Sequence, residues 1–202
     1  MDFSAAEHEL IQRDPRLGAV INLHGTIRRT PHHNYYESLV ESIISQQLSV
    51  RASDTIFRRF KEATELDPAK ALLLDEAACK TIGLSKQKAG YIRSLAENFV
   101  HDSAVFNHLE SLSDDEVIAE LTKIKGIGVW TAQMFLMFTL VRPDVFAPDD
   151  LGLLNAVTRL YELPARPTRT DAIALAERWA PYRTTASYHL WGLLDEPLTT
   201  AH

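Results

Sequence analysis

Apolar residues along this chain recur every three or four positions, which is the spacing of amphipathic helices. One such stripe consists of Leu39, Val40, Ile43, Ile44 and Leu48. No segment shows the strict alternation of apolar and polar residues that is typical of a half-buried strand. The pattern therefore predicts an all-α protein.

Two helices are predicted on either side of a glycine turn. The first follows the capping box SDDE at Ser113 to Glu116, and the turn itself reads IKGIG at residues 124–128. Glycine lets the main chain turn tightly and approach a ligand, and the second helix would direct free N–H groups outward. A phosphate group is the natural ligand of such a hairpin. Taken alone, a purely structural turn explains Gly126 and Gly128 better than a binding site does.

Composition excludes several classes of protein. The 202 residues include 46% apolar and 24% charged residues, and no apolar run approaches the ~18 residues that a membrane-spanning helix needs. The N-terminus lacks the pattern of a secretory signal, so we expect a cytosolic protein with no membrane association. Cys79 is the only cysteine and the eight histidines are scattered. We therefore predict no disulfide framework and no metal site.

The net charge of −6 argues against a nucleic-acid partner, but the distribution of charge argues for one. Residues 80–93 contain four basic residues and no acid, and Lys123 and Lys125 flank the glycine turn. A solvated surface explains each cluster separately. Their position beside glycine turns favours an anionic ligand.

Two consecutive acids follow about twenty residues beyond the hairpin, in the segment DVFAPDDLG. A helix is predicted to begin near Leu151, and an N-cap role is the simplest explanation for either acid. We prefer that role for Asp149. Asp150 would then remain as an anion beside a helix N-terminus, where it could stabilise developing positive charge.

Four ordered segments together resemble the helix-hairpin-helix DNA glycosylases, specifically the AlkA-type DNA-3-methyladenine glycosylase II branch. They read SIISQQLSV, LTKIKGIGVWTAQMF, PDVFAPDDLG and AERWAPYRTTASYHLW, within roughly residues 35 to 195. The resemblance implies a two-lobed all-α fold with the active site in the cleft between the lobes. We assign residues 36–138 to the central lobe and residues 1–35 with 139–202 to the second. The chain resembles a compact form that lacks the N-terminal β-containing domain of some members.

The resemblance also assigns roles to individual residues. Asp150 matches the catalytic aspartate, and Trp130 stands where members with lyase activity carry a lysine. Met134 and Leu151 stand where better-known members carry aromatic residues. The implied base pocket comprises Trp130, Trp191, Met134 and Leu151. The implied DNA-binding residues are Gln47, Leu48, Ser49, Lys88, Lys125, Gly126, Ile127, Gly128 and Thr131, of which Gln47 and Leu48 would wedge into the duplex.

The function implied by the resemblance is removal of alkylated purines, of the 3-methyladenine and 7-methylguanine type, from double-stranded DNA. Trp130 implies hydrolysis without lyase chemistry. The family implies a monomer that needs no cofactor, with a monovalent cation at the hairpin carbonyls when DNA is bound. We expect it at the bacterial nucleoid, or in the nucleus of a eukaryote. The alternative is a non-catalytic helix-hairpin-helix module that binds DNA or protein.

Overall fold

The computed structural model describes residues 1–101, 106 and 108–195. In these residues the chain is helical, and the only extended pairing is an isolated bridge between Asp2 and Arg28. The all-α prediction is confirmed. The chain forms two compact units, one of Met1–Pro31 with Val141–His202 and the other of His32–Leu140. We call these the terminal unit and the central unit.

Twelve α-helices occur within the described part of the chain. They are α1 (Ser4–Arg13), α2 (Pro15–His24), α3 (Tyr35–Ser45), α4 (Val50–Thr64), α5 (Pro68–Leu72), α6 (Glu76–Ile82), α7 (Lys86–His101), α8 (Asp114–Leu121), α9 (Val129–Met134), α10 (Leu151–Leu160), α11 (Arg169–Ala176) and α12 (Arg183–Asp195). A π-helical turn, Phe135–Thr139, continues α9, and 3-10 turns occupy Leu109–Ser111 and Glu177–Trp179.

Polar side chains fix where several of these helices begin. The predicted capping box is confirmed: the Ser113 N–H donates to Glu116 Oε2 at 2.8 Å, and the Glu116 N–H donates to Ser113 Oγ at 3.4 Å. Asp14 caps α2 and is followed by Pro15, whose missing N–H costs nothing in the first turn. These short-range signals explain why helix starts are readable from sequence.

The central unit is built around the apolar face of α3. Leu39, Val40, Ile43 and Ile44 are fully buried, and α3 packs against α4 and α7. Leu48 has the spacing of the same stripe but is 41% exposed, because α3 ends at Ser45. The exposed Leu48 therefore lies on a turn rather than in the core.

The terminal unit buries Trp179 completely, and the indole N–H donates to Asp14 Oδ2 at 3.0 Å. Helix α12 packs against both α10 and α2. This packing places the start of α10 beside Trp191 of α12. Across the described residues, every helix is too short or too polar to cross a bilayer.

Candidate active site

Asp150 is the N-cap of α10. Its Oδ1 accepts two hydrogen bonds, from the Leu153 main-chain N–H at 2.7 Å and from the Trp191 indole N–H at 2.9 Å. The helix N-terminus is a favourable place for negative charge. The carboxylate is thus held in one orientation by a main-chain donor and a side-chain donor.

Gly152 makes room for this arrangement. A Cβ atom at this position would lie 3.0 Å from Asp150 Oδ1 and 3.2 Å from Trp191 Cδ1 and Nε1. Such distances are shorter than ordinary van der Waals contact. The absence of a side chain at Gly152 therefore lets the indole of Trp191 reach the carboxylate.

The preference for Asp149 as the helix cap is wrong. Asp149 forms an exposed ion pair with Arg169, whereas Asp150 accepts the N–H of Leu153. The physical reason is reach, since the capping side chain belongs to the residue directly before the first helical residue, Leu151. Asp150 therefore combines the cap with the role that the resemblance gives it.

The hairpin between α8 and α9 has two glycines in different situations. Gly126 has a φ of +95°, and a Cβ there would lie 2.3 Å from Cγ of Tyr91. Gly128 has a φ of −95°, is exposed, and would direct a Cβ into open space. Gly126 is therefore required by the fold, whereas the fold alone does not require Gly128.

Two other residues assigned to the hairpin have buried side chains. Ile127 and Thr131 are 4% and 3% exposed. Because both side chains are buried, only main-chain atoms at these positions could meet a phosphate. The Ile127 N–H already donates to the Ile124 carbonyl at 3.1 Å, whereas the N–H of Thr131, in the first turn of α9, has no partner within its helix. Lys125, which lies between the end of α8 and Ile127, has an exposed side chain.

Trp130 and Met134 line one pocket of about 470 Å³ in the central unit. Phe57 and Phe138 supply further apolar surface to the same pocket. Trp130 itself is 40% exposed. Asp150, Leu151 and Trp191 belong to the terminal unit, where Leu151 is exposed and directly follows Asp150.

The pocket also contains three carboxylates that the sequence interpretation missed, those of Glu37, Glu41 and Asp54. Burial raises the pKa of Glu41, and the negative charges of Glu37 and Asp54 raise it further. Glu37 forms an ion pair with Lys61 at 3.1 Å. The available signal was the spacing of Glu37 and Glu41, which places two acids on one face of α3.

The segment assigned to the duplex wedge is exposed at all three positions, Gln47, Leu48 and Ser49. Gln47 has a φ of +57°, a conformation that few residues other than glycine adopt. Ser49 is the residue before α4, and its side chain makes no capping hydrogen bond. The segment is a sharp exposed turn between α3 and α4.

Lys88 has a structural role that the sequence did not indicate. Its Nζ donates to the main-chain carbonyls of Ile44 at 2.6 Å and Gln46 at 2.8 Å. Burial lowers the pKa of this ammonium group. A direct contact between Lys88 and DNA stays a prediction.

Helices α8 and α9 with the glycine turn between them form a helix-hairpin-helix element, and the anchored Asp150 follows it along the chain. Residues 40–181 match the family described as HhH-GPD superfamily base excision DNA repair protein, and the chain belongs to this family. The resemblance seen in the sequence is confirmed.

Relatives with known names agree with this assignment. DNA-3-methyladenine glycosylase 1 of Schizosaccharomyces pombe is 37% identical over 161 residues, which cover 77% of this chain and 71% of that protein. A solved structure of 3-methyladenine DNA glycosylase from the same yeast, in complex with abasic DNA, matches with a TM-score of 0.85 and 33% identity, covering 95% of this chain and 97% of that one. A DNA-3-methyladenine glycosidase of Bacillus halodurans matches with a TM-score of 0.81 and 33% identity, covering 95% and 90%.

Proposed function

We propose that this protein is a DNA glycosylase that flips alkylated purines out of double-stranded DNA and removes them by hydrolysis. The observation that carries the proposal is the carboxylate of Asp150, held by Leu153 and Trp191 at the start of α10. The similarity to 3-methyladenine glycosylases supports the substrate class.

The chemistry follows from the charge of the substrate. A purine alkylated at N3 or N7 carries a positive charge, so breaking its bond to C1′ leaves the electron pair on a neutral base. The sugar becomes an oxocarbenium ion, to which water adds at C1′ with loss of a proton. Asp150 stabilises the positive sugar electrostatically, as carboxylates do in glycoside hydrolysis. The expected place of this reaction, in a cleft between lobes, stays a prediction.

The pocket beside Trp130 suits a flat cation. Attraction between a cation and an aromatic face contributes ~0.5–2 kcal/mol, so Trp130 alone gives modest selectivity. Lys61 already pairs with Glu37, but the carboxylates of Glu41 and Asp54 in the same pocket would attract a positively charged base more strongly than a neutral one. Together these groups favour alkylated over normal purines.

Base flipping costs a few kcal/mol. Contacts of DNA with the exposed turn at residues 47–49 and with the hairpin would offset this cost. Gln47 and Leu48 would fill the gap that the base leaves, with Ser49 facing the minor groove. Lys125 and the main chain of residues 126–128 would bind phosphate. The carbonyls of Ile124 and Gly126 each accept one hydrogen bond and retain a second lone pair, so they fit a monovalent cation shared with DNA.

We propose further that the enzyme is a monomer without lyase activity, acting at the nucleoid or in a nucleus. Trp130 occupies the position where lyase members of the family carry a lysine, and an indole cannot form a Schiff base. Hydrolysis would leave an intact abasic site.

The decisive experiment incubates the protein with methylated duplex DNA and separates released bases by chromatography. We expect free 3-methyladenine and 7-methylguanine, an unbroken strand, and no covalent adduct after borohydride treatment. DNA binding without base release would favour the non-catalytic module. A trapped adduct would contradict the hydrolytic assignment.

A further inference from the structure

The exposed turn between α3 and α4 has few main-chain hydrogen bonds of its own to hold it. The chain leaves α3 after Ser45, turns through Gln47 at a positive φ, and presents Leu48 to solvent. Between the end of α3 and Leu48 the main-chain hydrogen bond is that of the Leu48 N–H to the Ser45 carbonyl, at 3.1 Å, whereas the Ser49 carbonyl accepts N–H groups of α4. One such bond is a weak restraint on an exposed apolar side chain at the tip of a turn.

Lys88 supplies a second restraint from another helix. Its ammonium group binds the carbonyls of Ile44 and Gln46, one inside the last turn of α3 and one just beyond it. A cation at a helix C-terminus interacts favourably with the exposed carbonyls there. The two bonds fix the direction in which the chain leaves α3.

Gln46 links the same turn to the hairpin. Its side-chain Nε2 donates to the carbonyl of Gly126 at 3.1 Å. Gly126 in turn lies against the ring of Tyr91, which follows Lys88 by one helical turn on α7. Helix α7 therefore supports both exposed segments, the turn through Lys88 and the hairpin through Tyr91.

We propose that Lys88, acting with Gln46, is a positioning residue that holds the Leu48 turn and the hairpin as one preformed unit. This proposal rests on the proposed function, in which Leu48 enters the duplex while the hairpin binds the backbone. In this proposal Lys88 acts through the main chain of residues 44–46, in place of the direct contact with DNA that the resemblance implies. A preformed wedge spares the protein the ordering of this turn at the moment of flipping.

The test compares three variants by single-turnover excision of 7-methylguanine. Lys88→Met keeps the length of the side chain and removes the charge and donors. Lys86→Met is the matched control, an exposed lysine two residues away on the same helix. Lys125→Ala serves as the positive control for a phosphate contact. One duplex pairs the lesion with cytosine, and a second places it opposite adenine, where flipping is easier.

For Lys88→Met we expect a loss of about tenfold on the paired duplex, because the turn must then be ordered at the moment of flipping. The loss on the mismatched duplex should be several-fold smaller. The salt dependence of binding should stay that of the unmodified protein, whereas Lys125→Ala should reduce the slope by about 0.9. Lys86→Met should leave both excision rates within about twofold of those of the unmodified protein, and it should leave the salt dependence of binding unchanged.

Hydrogen exchange keeps the proposal testable independently of catalysis. Lys88→Met and Gln46→Leu should both speed amide exchange in residues 45–49, and Lys86→Met should not. Unchanged exchange in both variants would overturn the proposal. Equal loss on the two duplexes together with a slope reduced by about 0.9 would also overturn it, because Lys88 would then bind phosphate. Absence of base release by the unmodified protein would reject the proposed function instead, and exchange would still decide whether Lys88 holds the turn.

Discussion

At the scale of single residues, the hydrogen bonds of Asp150 allow its negative charge to be tested without loss of those bonds. Both bonds from Leu153 and Trp191 end on Oδ1, an atom that an amide oxygen can replace. Asparagine caps a helix about as well as aspartate does. The aspartate-to-asparagine change therefore removes negative charge while it preserves the fold.

We expect Asp150→Asn to lower the rate of base excision at least about a hundredfold, the usual effect of removing an electrostatic group that acts in the transition state. Thermal stability and DNA affinity should change little. Asp149→Asn is the matched control, since it weakens only the exposed pair with Arg169. Excision rates of both variants on one methylated duplex provide the measurement. A larger loss in Asp149→Asn would move the catalytic assignment by one residue.

At the scale of elements, the hairpin separates a glycine that the fold needs from one that it does not. Gly126 has a positive φ, and the ring of Tyr91 occupies the space that a Cβ atom would need. Any side chain at this position would therefore displace the ring. Gly128 has an ordinary φ and open space before it. Only a ligand that approaches the main chain would give Gly128 a reason to lack a side chain.

Gly126→Ala should destabilise the protein by more than about 1 kcal/mol, because alanine is strained at this φ and collides with Tyr91. Gly128→Ala should leave the melting temperature nearly unchanged but weaken binding to duplex DNA. Calorimetry and a binding titration at one fixed salt concentration measure the two effects. If Gly128→Ala binds DNA as tightly as the unmodified protein, the hairpin main chain does not approach a phosphate closely.

The same elements show what the sequence could predict. The capping box at Ser113 and the glycine turn depend on residues three or four apart, so their patterns are readable locally. The contacts of Lys88 with Ile44 and of Asp150 with Trp191 join residues more than forty positions apart in sequence. No local pattern specifies such contacts. Even the question of which aspartate, Asp149 or Asp150, caps α10 is decided only by the position of the first N–H groups of that helix.

At the scale of the whole molecule, the terminal unit contains a buried titratable cluster apart from the proposed chemistry. His189 is fully buried, with Nε2 3.2 Å from Glu7 Oε1 and Nδ1 3.3 Å from His24 Nδ1. Burial lowers the pKa of His189, the nearby charge of His24 contributes in the same direction, and Glu7 opposes both. The folded state therefore binds this proton less readily than the unfolded state.

A histidine with a lowered folded pKa contributes stability above its unfolded pKa, near 6.5, and that contribution is lost as the pH falls through the folded pKa. We expect stability to decline below about pH 6.5, by at most ~1.4 kcal/mol per pH unit from this one group. Urea unfolding at pH 7.5, 6.5 and 5.5 measures the decline. His189→Gln, which stays neutral, should flatten it relative to the unmodified protein, and the exposed His101→Gln should not. An unchanged slope in His189→Gln would place the acid sensitivity elsewhere.

The bond between Trp191 and Asp150 gives the protein a built-in spectroscopic reporter. The sequence contains three tryptophans, and in the structure their indole N–H groups differ in surroundings: that of Trp179 binds Asp14, that of Trp191 binds Asp150, and Trp130 is 40% exposed. An indole N–H that donates to a carboxylate has a magnetic resonance frequency sensitive to the charge it faces. In a nitrogen-15 spectrum, the Trp191 signal would therefore follow the arrival of a positive sugar beside Asp150 without any added label on the DNA.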